Sequence, residues 1–201
     1  MDVVIVDTGC ANLASVGFAF DRLGVSKTIT QEPEIICAAP RVILPGVGAA
    51  PYAMQKLRER NLVDVLQNLT QPVMGICLGM QLLFENSEEG SLEGDVEGLG
   101  MIDGNVVDLD TGDLPSPHMG WNTLENLADD PLLAGITSGD HAYFVHSYAV
   151  PLSKYTLASS EHGSAFSAII RKNNIYGCQF HPERSGKTGA RILENFLKVS
   201  S

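Results

Sequence analysis

The sequence predicts an α/β fold, a three-layer α/β/α sandwich around a mostly parallel sheet with an antiparallel part in its second half. In the first half, short continuous apolar runs alternate with stretches of helical periodicity, which is typical of parallel strands buried on both faces. In the second half several strand-like runs follow one another, and Asn173 and Asn174 between the last two indicate a hairpin turn. The chain has no linker or internal repeat, so residues 1–201 are expected to form a single domain.

The first half is expected to alternate between buried strands and helices. The run Val3–Val6 is apolar and β-branched, and the helix after it places Leu13, Val16 and Phe20 on one face. Asn61 is expected to divide the long helical stretch that precedes the third strand. The predicted strands are Val3–Val6, Arg41–Leu44 and Val73–Ile76, and the predicted helices are Leu13–Leu23, Pro51–Leu69 and Leu78–Phe84.

The second half is expected to be richer in strands. The stretch Glu85–Gly98 holds many acidic residues and glycines, which predicts a solvated loop. The chain closes with an amphipathic helix at Gly189–Lys198. The predicted strands of this half are Ala142–Tyr148, Phe166–Arg171 and Ile175–Phe180.

The composition restricts the classes of partner and the compartment. The net charge of −11 argues against nucleic acid or an anionic membrane surface as a partner. No apolar run reaches spanning length, and Met1–Val4 lacks the basic region of a signal peptide. The four cysteines show no metal-like pairing, which predicts a reducing, cytoplasmic location and no metal site; they are Cys10, Cys37, Cys77 and Cys178.

Cys77 lies on the predicted turn between a buried strand and a helix. Gly75 and Gly79 flank it in the pattern Gly-x-Cys-x-Gly, the nucleophile elbow with cysteine in place of serine. The sharp turn crowds the residues two before and two after the nucleophile, so glycine fits there. It also places the sulfur at a helix N-terminus, which favours the thiolate. Taken alone, a cysteine between apolar residues is equally consistent with a small core side chain, and a general base is needed to decide.

The candidate base is His181, which follows the predicted strand Ile175–Phe180. It therefore lies at the carboxyl edge of a parallel sheet, as Cys77 does. Glu183, held close by Pro182, can fix the imidazole tautomer and stabilise its charged form. A lone histidine after a strand is more often structural, but a His-Pro-Glu sequence matched by an elbow cysteine predicts a catalytic triad of Cys77, His181 and Glu183.

The stretches that carry these residues resemble the triad-type (class I) glutamine amidotransferases. They are Gly75–Gln81, which reads Gly-Ile-Cys-Leu-Gly-Met-Gln, and Gln179–Glu183, which reads Gln-Phe-His-Pro-Glu. Other stretches are similar to one branch of that family, the glutaminase subunits of imidazole glycerol phosphate synthase, and the likeness runs from Val3 to about Phe196. The stretches typical of this branch are Leu44–Gly48, His118–Asn122, Phe144–Tyr148 and His181–Gly186.

The resemblance implies a flavodoxin-like fold and hydrolysis of glutamine to glutamate and ammonia without a metal or organic cofactor. It also implies a heterodimer with the cyclase subunit, a TIM-barrel type protein. That cyclase uses the ammonia to make imidazole glycerol phosphate and aminoimidazole carboxamide ribotide in histidine biosynthesis. Three alternatives stay open: a glutaminase serving pyridoxal phosphate or anthranilate synthesis, a cysteine peptidase or other hydrolase on the same elbow, and a regulatory subunit with an inactive site.

The resemblance also implies roles around the nucleophile. Leu78 is expected to donate its backbone N–H to the oxyanion, because it follows the elbow nucleophile. The second donor implied by the family is the backbone of Val47. The residues implied to bind glutamine are Gly48, through its backbone, Gln81, Ser147 and Tyr148.

A partner interface is implied beside the glutaminase pocket. Its candidate residues are Asn12, Met119, Trp121 and Tyr143, of which Trp121 is the only tryptophan in the chain. Relatives often carry a Tyr-Gly pair where this chain has Thr8 and Gly9, so a partner contact of Thr8 is left open.

The remaining histidines and cysteines receive no catalytic role. His146, between Val145 and Ser147 in a strand, is expected to serve packing or hydrogen bonding. Gly46–Gly48 and Ser185–Thr188 resemble pieces of nucleotide-binding motifs but lack the required glycines, so no nucleotide site is predicted. The other residues without a catalytic role are His118, His141 and His162, together with Cys10, Cys37 and Cys178, which are expected to be buried or inert.

Overall fold

The computed structural model describes residues 2–9, 11–90 and 95–199. Its first half alternates strands and helices, as the apolar runs predict. Each strand in this half except β2 is buried along its whole length. The elements are β1 (Val3–Val6), α1 (Leu13–Arg22), β2 (Lys27–Thr30), α2 (Pro33–Cys37), β3 (Val42–Gly46), α3 (Ala50–Glu59), α4 (Val63–Gln67), β4 (Val73–Cys77) and α5 (Leu78–Gln81).

The second half consists mainly of strands and ends with a helix. Two 3-10 turns, Pro131–Leu133 and Pro182–Arg184, interrupt it. The elements are β5 (Phe84–Ser87), β6 (Val96–Glu97), β7 (Ile102–Asp108), β8 (His118–Thr123), β9 (His141–His146), β10 (Tyr148–Ala149), β11 (Thr156–His162), β12 (Ser164–Lys172), β13 (Ile175–Cys178) and α6 (Gly186–Phe196).

The central sheet has seven strands in the order β11-β12-β13-β4-β3-β1-β2. The five strands from β13 to β2 are parallel, whereas β11 and β12 run antiparallel to their neighbours. Asn173, with a φ of 56°, forms the turn between β12 and β13 that the sequence predicts. The prediction of a mostly parallel sheet with an antiparallel part is confirmed.

Helices cover both faces of this sheet, which gives the three predicted layers. Alternate residues of β1 enter different cores: Val3 and Ile5 pack with Phe20 of α1 and Phe196 of α6. Val4 and Val6 face the opposite way and pack with residues of α3 and α4. A strand buried on both faces is therefore apolar at every position, which explains the continuous runs in the sequence.

The helix predicted at Leu78–Phe84 is wrong in its second half. The helix α5 ends at Gln81, and Phe84 begins β5, which pairs with β7. The chain leaves the helix because the Leu83 carbonyl accepts from the backbone N–H groups of Met101 and Ile102, in place of continuing the helical ladder. Apolar side chains alone do not distinguish a buried helix from the start of a buried strand.

The solvated loop predicted at Glu85–Gly98 is also only partly right. Residues 91–94 lie outside the described residues, but β5 and β6 occupy much of the rest. The Glu85 carboxylate accepts from the backbone N–H of Gly104, and the Glu88 carboxylate accepts from that of Asp108. These acidic side chains therefore hold the segment against β7, although its composition alone predicted a solvated loop.

Two elements of the first half were not predicted, nor were the strands β6, β7, β8 and β11 of the second half, and some boundaries differ. The edge strand β2 and the short helix α2 carry mixed polar and apolar residues with no clear period. Asn61 divides the helical stretch as expected, with a φ of 56° between α3 and α4. The strand predicted at Ala142–Tyr148 is split into β9, which pairs with β8, and β10, which joins β7.

In the described part of the chain no helix is long and apolar enough to span a membrane.

Candidate active site

Cys77 stands at the junction of β4 and α5 in the strained backbone of a nucleophile elbow. Its φ is 53° and its ψ is −114°, a conformation that residues with a side chain seldom adopt. The side chain is almost fully buried, with Sγ 3.7 Å from the Val145 carbonyl oxygen and 3.8 Å from Gln179 Nε2. The turn aims the sulfur into a cleft at the carboxyl edge of the sheet.

The flanking glycines let the elbow pack directly on the sheet. A Cβ at Gly75 would lie 2.6 Å from the Gly79 carbonyl oxygen and from the backbone of Met80. A Cβ at Gly79 would overlap the carbonyl oxygen of Leu44 on β3. The crowding predicted around the nucleophile is therefore present, and it involves the neighbouring strand as well as the elbow.

We expect Gly79→Ala to destabilise the protein by more than about 3 kcal/mol, because neither the Leu44 backbone nor the elbow can move without breaking the sheet. The measurement is urea unfolding followed by circular dichroism. Gly24→Ala is the matched control, since its added Cβ meets nothing within 4 Å and only its φ of 69° is unfavourable. That conformational cost is about 1 kcal/mol. Equal losses in the two variants would contradict the packing argument.

His181 and Glu183 meet Cys77 at this edge because β13 runs parallel to β4, with Cys178 opposite Ile76. His181 Nδ1 lies 2.9 Å from Glu183 Oε1, and Cys77 is close enough to the His181 ring to raise its pKa. Since a carboxylate only accepts, Nδ1 carries a proton and Nε2 is left for the sulfur. The three residues of the predicted triad are thus brought together.

The electrostatics of the triad favour a charged imidazole. Burial alone would lower the pKa of His181, but the hydrogen bonds and charges of Cys77 and Glu183 outweigh it and raise that pKa to about 10. A protonated His181 in turn stabilises a thiolate at Cys77. The Glu183 side chain is only 3% exposed, so its charge acts on the imidazole with little screening by water.

Backbone contacts hold the histidine loop in place. The His181 N–H donates to the Tyr143 carbonyl oxygen at 2.9 Å. Ser185 Oγ donates to the His181 carbonyl oxygen at 2.7 Å and accepts from the Tyr143 N–H at 2.9 Å. The Arg22 guanidinium donates to the Glu183 carbonyl oxygen. The position of the base is therefore fixed by β9, which carries the candidate interface residue Tyr143.

The cleft beside the triad has a volume of about 390 Å³. It brings together the predicted residues Val47, Gly48, Leu78, Gln81, Ser147 and Tyr148 with Cys77 and His181. Val47 and Gly48 follow β3, whose last residue lies opposite Cys77, and Gly48 adopts a φ of 92° that suits glycine. Leu78 is the first residue of α5, directly after the nucleophile.

Sequence reasoning missed one charged residue of the cleft, Glu89. Its Oε2 accepts from the Ala50 N–H at 2.7 Å, and burial raises the pKa of its carboxyl group. Among the described residues that line the cleft, Glu89 is the only acidic one. It follows β5 in the segment predicted to be a solvated loop, and no local pattern in the sequence marks it.

Gln81 differs from the surface residue that helical spacing alone would suggest. It is buried, and its Nε2 donates to the Tyr148 carbonyl oxygen at 2.8 Å and to Gln179 Oε1 at 3.0 Å. Both amide hydrogens are therefore used within the protein, which leaves its Oε1 as the group available to a ligand.

The four candidate interface residues lie near the same sheet edge. Met119 and Trp121 on β8 are 63% and 56% exposed, and the Trp121 ring packs edge-on against Tyr143 at 5.9 Å. Arg184 stacks over the Tyr143 ring. Asn12 caps α1, with Oδ1 accepting from the Ser15 N–H, and borders a small cavity beside Val47 and Glu183.

Among the described histidines and cysteines without a predicted catalytic role, His146 alone lines the cleft. His118 and His146 form a buried hydrogen-bonded pair. Cys178 is fully buried, and burial raises the pKa of its thiol. Cys37 is exposed at the end of α2, so of the two expected states, buried or inert, only the second remains for it; Cys10 lies outside the described residues. Among the described residues no three acidic, histidine or cysteine side chains are grouped as metal ligands.

Comparison with known proteins supplies the family context of this site. The family model described as "Glutamine amidotransferase class-I" matches residues 4–199. Imidazole glycerol phosphate synthase subunit HisH of Idiomarina loihiensis is 56% identical, over 100% of this chain and 99% of that protein. The HisH subunit of Vibrio cholerae is 52% identical over 98% of each chain.

Solved structures support the same fold at low sequence identity. A crystal structure described as a glutamine amidotransferase superposes with a TM-score of 0.74 at 20% identity, covering 97% of each chain. The structure of PurLQS from Thermotoga maritima gives a TM-score of 0.65 at 16% identity, covering 97% of this chain and 96% of that chain.

Proposed function

The chain belongs to the class-I glutamine amidotransferase family, and we propose that it is the glutamine-hydrolysing HisH subunit of an imidazole glycerol phosphate synthase, with Cys77 as its nucleophile. It acts in histidine biosynthesis, the pathway that gives its relatives their name. That shared name favours this synthase over glutaminases that serve pyridoxal phosphate or anthranilate synthesis. The observation that carries the chemistry is the meeting of Cys77, His181 and Glu183: Cys77 and His181 line one cleft, and Glu183 is hydrogen-bonded to His181.

The first half of the reaction is acylation of Cys77. The thiolate attacks the side-chain amide carbon of glutamine, forming a C–S bond while the carbonyl electrons move onto oxygen. His181, which holds the proton in the resting pair, donates it to the amide nitrogen. The C–N bond then breaks, ammonia leaves, and a glutamyl thioester remains on Cys77.

The second half is hydrolysis of that thioester. Neutral His181 takes a proton from water as the water oxygen attacks the thioester carbon. The C–S bond breaks, glutamate leaves, and the thiolate and the imidazolium are restored. Glu183 remains a carboxylate throughout, where it fixes the Nδ1–H tautomer and stabilises the charged form of His181.

Each tetrahedral intermediate places a negative charge on the former carbonyl oxygen. The backbone N–H of Leu78, at the start of α5, is the donor fixed by the elbow. The Val47 N–H is the second donor, carried on a loop that contains Gly46 and Gly48. Because Gly48 has a positive φ and nothing within 4 Å of the place of a Cβ, this loop can change its dihedral angles at low cost.

Glutamine binds along the same cleft with its α-carbon groups away from Cys77. The Glu89 carboxylate is suited to the α-ammonium group, because a half-buried charge pair is stronger than one in open water. Gly48, Ser147 and Tyr148 line the same cleft and supply further polar groups, and Gln81 supplies its Oε1. A cleft of about 390 Å³ is adequate for one amino acid.

The ammonia passes to the cyclase subunit, a TIM-barrel type partner in a heterodimer. Asn12, Met119, Trp121 and Tyr143 form the docking surface beside the cleft. An exposed tryptophan next to an exposed methionine on one strand is the kind of anchor that dominates protein interfaces. The proposed compartment is the cytoplasm.

We expect the isolated chain to hydrolyse glutamine slowly, and the cyclase with its nucleotide ligand to raise the rate by at least about 10²-fold. One misplaced oxyanion donor costs that much, and the flexible loop of Val47 supplies one of the two donors. The test is a steady-state glutaminase assay on the free chain, on the complex, and on the complex with ligand. Full activity in the free chain that no partner changes would refute this coupling.

Trp121→Ala is expected to weaken docking by about 30-fold, the effect of losing a central aromatic anchor. The residual hydrolysis rate of the free chain should not change, because Trp121 does not line the cleft. Titration of the cyclase into each variant measures the docking constant. Leu152→Ala is the matched control, since Leu152 is also exposed but lies in the loop between β10 and β11 and not on β8 or β9. Equal docking by the Trp121 and Leu152 variants would remove Trp121 from the interface.

A further inference from the structure

Two buried histidines next to the cleft are not used by the reaction described above. His118 on β8 and His146 on β9 are opposite each other in the hairpin, with 3% and 6% of their surfaces exposed. His118 Nδ1 lies 3.0 Å from His146 Nε2. A buried imidazole pair is costly unless each ring nitrogen has a partner, so the partners determine what the pair does.

The surrounding groups fix the tautomer of each ring. His146 Nδ1 lies 2.9 Å from the Tyr148 carbonyl oxygen, which can only accept, so Nδ1 carries the hydrogen. In a neutral ring Nε2 is then an acceptor, and His118 Nδ1 must donate to it. His118 Nε2 is left as an acceptor and lies 3.2 Å from the Asn122 side-chain amide nitrogen, which can only donate.

Both rings are neutral in this arrangement. Burial lowers the pKa of His118 to about 4 and that of His146 to about 3, with smaller contributions from neighbouring histidines. The Asn122 amide is fixed in its turn, because it also donates to the Glu161 carbonyl oxygen at 2.7 Å. The row of hydrogen bonds therefore runs in one direction, from Asn122 through His118 and His146 to the Tyr148 carbonyl.

The Tyr148 end of this row is connected to Cys77 through two glutamine side chains. The Tyr148 carbonyl also accepts from Gln81 Nε2, whose other hydrogen goes to Gln179 Oε1. Gln179 Nε2 then lies 3.8 Å from Cys77 Sγ. The two glutamine amides and the Tyr148 backbone form one wall around the nucleophile, and their orientations depend on one another.

The other end of this row, formed by Asn122 and His118, lies on β8, the strand that carries the exposed docking residues. Along β8, His118 is buried while Met119 and Trp121 point outward and are exposed. A shift of this strand when a partner packs against Trp121 would move His118, and hence the donor to His146 Nε2.

We propose that His118 and His146 are positioning residues that hold the Tyr148 carbonyl, and through it Gln81 and Gln179, in the orientation that the glutamine site requires. The inference rests on the proposed glutaminase function. Without the His118 donor, the buried His146 Nε2 is an acceptor with no partner, and a shift or rotation of the ring relieves that cost. Such a movement breaks the Nδ1–H bond to the Tyr148 carbonyl oxygen and releases that carbonyl from its orientation.

The test compares two substitutions of similar shape at His118. In His118→Asn the amide nitrogen takes the place of Nδ1 and can still donate to His146, whereas His118→Leu fills the same space without a donor. In the complex with cyclase, we expect His118→Leu to lower kcat/KM for glutamine about tenfold or more, the effect of one unsatisfied buried group. His118→Asn should stay within about threefold of wild type. Synthesis from added ammonium salt should be unchanged in both variants, which verifies folding and assembly.

A role in packing alone would not distinguish the two variants in this way. Equal kcat/KM values for glutamine in His118→Asn and His118→Leu, with ammonia-dependent synthesis intact, would overturn the proposal. If the wild-type complex does not hydrolyse glutamine at all, the proposed function fails and not merely the positioning role.

A second measurement on the wild-type protein covers the case in which His118→Leu does not fold. Nitrogen-15 NMR of the imidazole rings reports directly which nitrogen carries hydrogen, and the chain has only five histidines to assign. We expect His118 and His146 to be neutral with hydrogen on Nδ1 at pH 7. A neutral ring with hydrogen on Nε2 at His146, or a charged ring at either position, would overturn the arrangement.

Discussion

Cys77→Ala is expected to reduce glutamine hydrolysis by about 10⁶-fold, the loss seen when the nucleophile of a hydrolytic triad is removed. No other described cysteine lies in the cleft. The backbone of the elbow can keep its conformation in this variant, because alanine retains the Cβ of cysteine and lacks only the sulfur. The measurement is glutamate formation by the complex with cyclase, in which wild-type turnover is highest.

The same variant should still support synthesis when ammonium salt replaces glutamine, because the chemistry of the cyclase does not use the thiol. Loss of both activities would show that Cys77 is needed for folding or docking. Cys178→Ala is the matched control: its sulfur is fully buried, 3.9 Å from the Gly75 carbonyl oxygen on the same strand as Cys77. We expect turnover within a few-fold of wild type, and a complete loss there would overturn the assignment of the nucleophile.

His181→Ala should lower the rate by a similar factor of about 10⁶, because the residue supplies the proton to ammonia and later removes one from water. Glu183→Gln should be milder, with a loss of up to about 10⁴-fold. Glutamine at position 183 can still accept from Nδ1, but it cannot offset the imidazolium charge. A greater loss in Glu183→Gln than in His181→Ala, with both proteins folded, would contradict these roles.

The pH profile of kcat/KM gives a separate check on the charged pair. Because the pKa of His181 is raised to about 10, the protonated imidazole persists through neutral pH, and the rate should fall only as the pH approaches 10. In Glu183→Gln the fall should move to lower pH, since a contribution that raises the pKa of His181 has been removed. An unchanged profile in that variant would show that Glu183 does not act on the imidazole charge.

The grouping of Cys77, His181 and Glu183 could be predicted because its signals are local. Gly75, Cys77 and Gly79 have the spacing that a close-packed elbow requires, and the structure shows the contacts that exclude a Cβ there. His181 and Glu183 follow a recognisable strand. The pairing of β13 with β4 brings Cys77 close to His181 and Glu183. This order of strands cannot be predicted from either segment alone.

The residues that were missed depend on contacts distant in the chain. Glu89 lines the cleft because its carboxylate accepts from the first residue of α3, and nothing in the acidic segment around it indicates that bond. The sequence predicts a helix at Phe84 because an apolar residue that follows an apolar helix can either continue that helix or begin a buried strand, and the pattern does not distinguish the two. Its strand conformation comes from pairing with Ile102 of β7.

In the strand β8, which carries the proposed docking residues, the burial pattern is the reverse of what its sequence suggests. Its large apolar residues, Met119 and Trp121, are exposed, whereas the polar His118 is buried. A rule that places apolar residues inside would orient this strand the wrong way round. The buried histidine pair, and the positioning role proposed for it, could therefore be identified only once the burial of each side of the strand was known.

The central claim is that glutamine is hydrolysed through a thioester on Cys77, and trapping that intermediate tests it most directly. The complex with cyclase and its ligand is mixed with radiolabelled glutamine, quenched in acid and digested. The account predicts label on the peptide that contains Cys77, and none in the Cys77→Ala variant. Label on another residue, or steady glutamate formation by the Cys77→Ala complex, would contradict it.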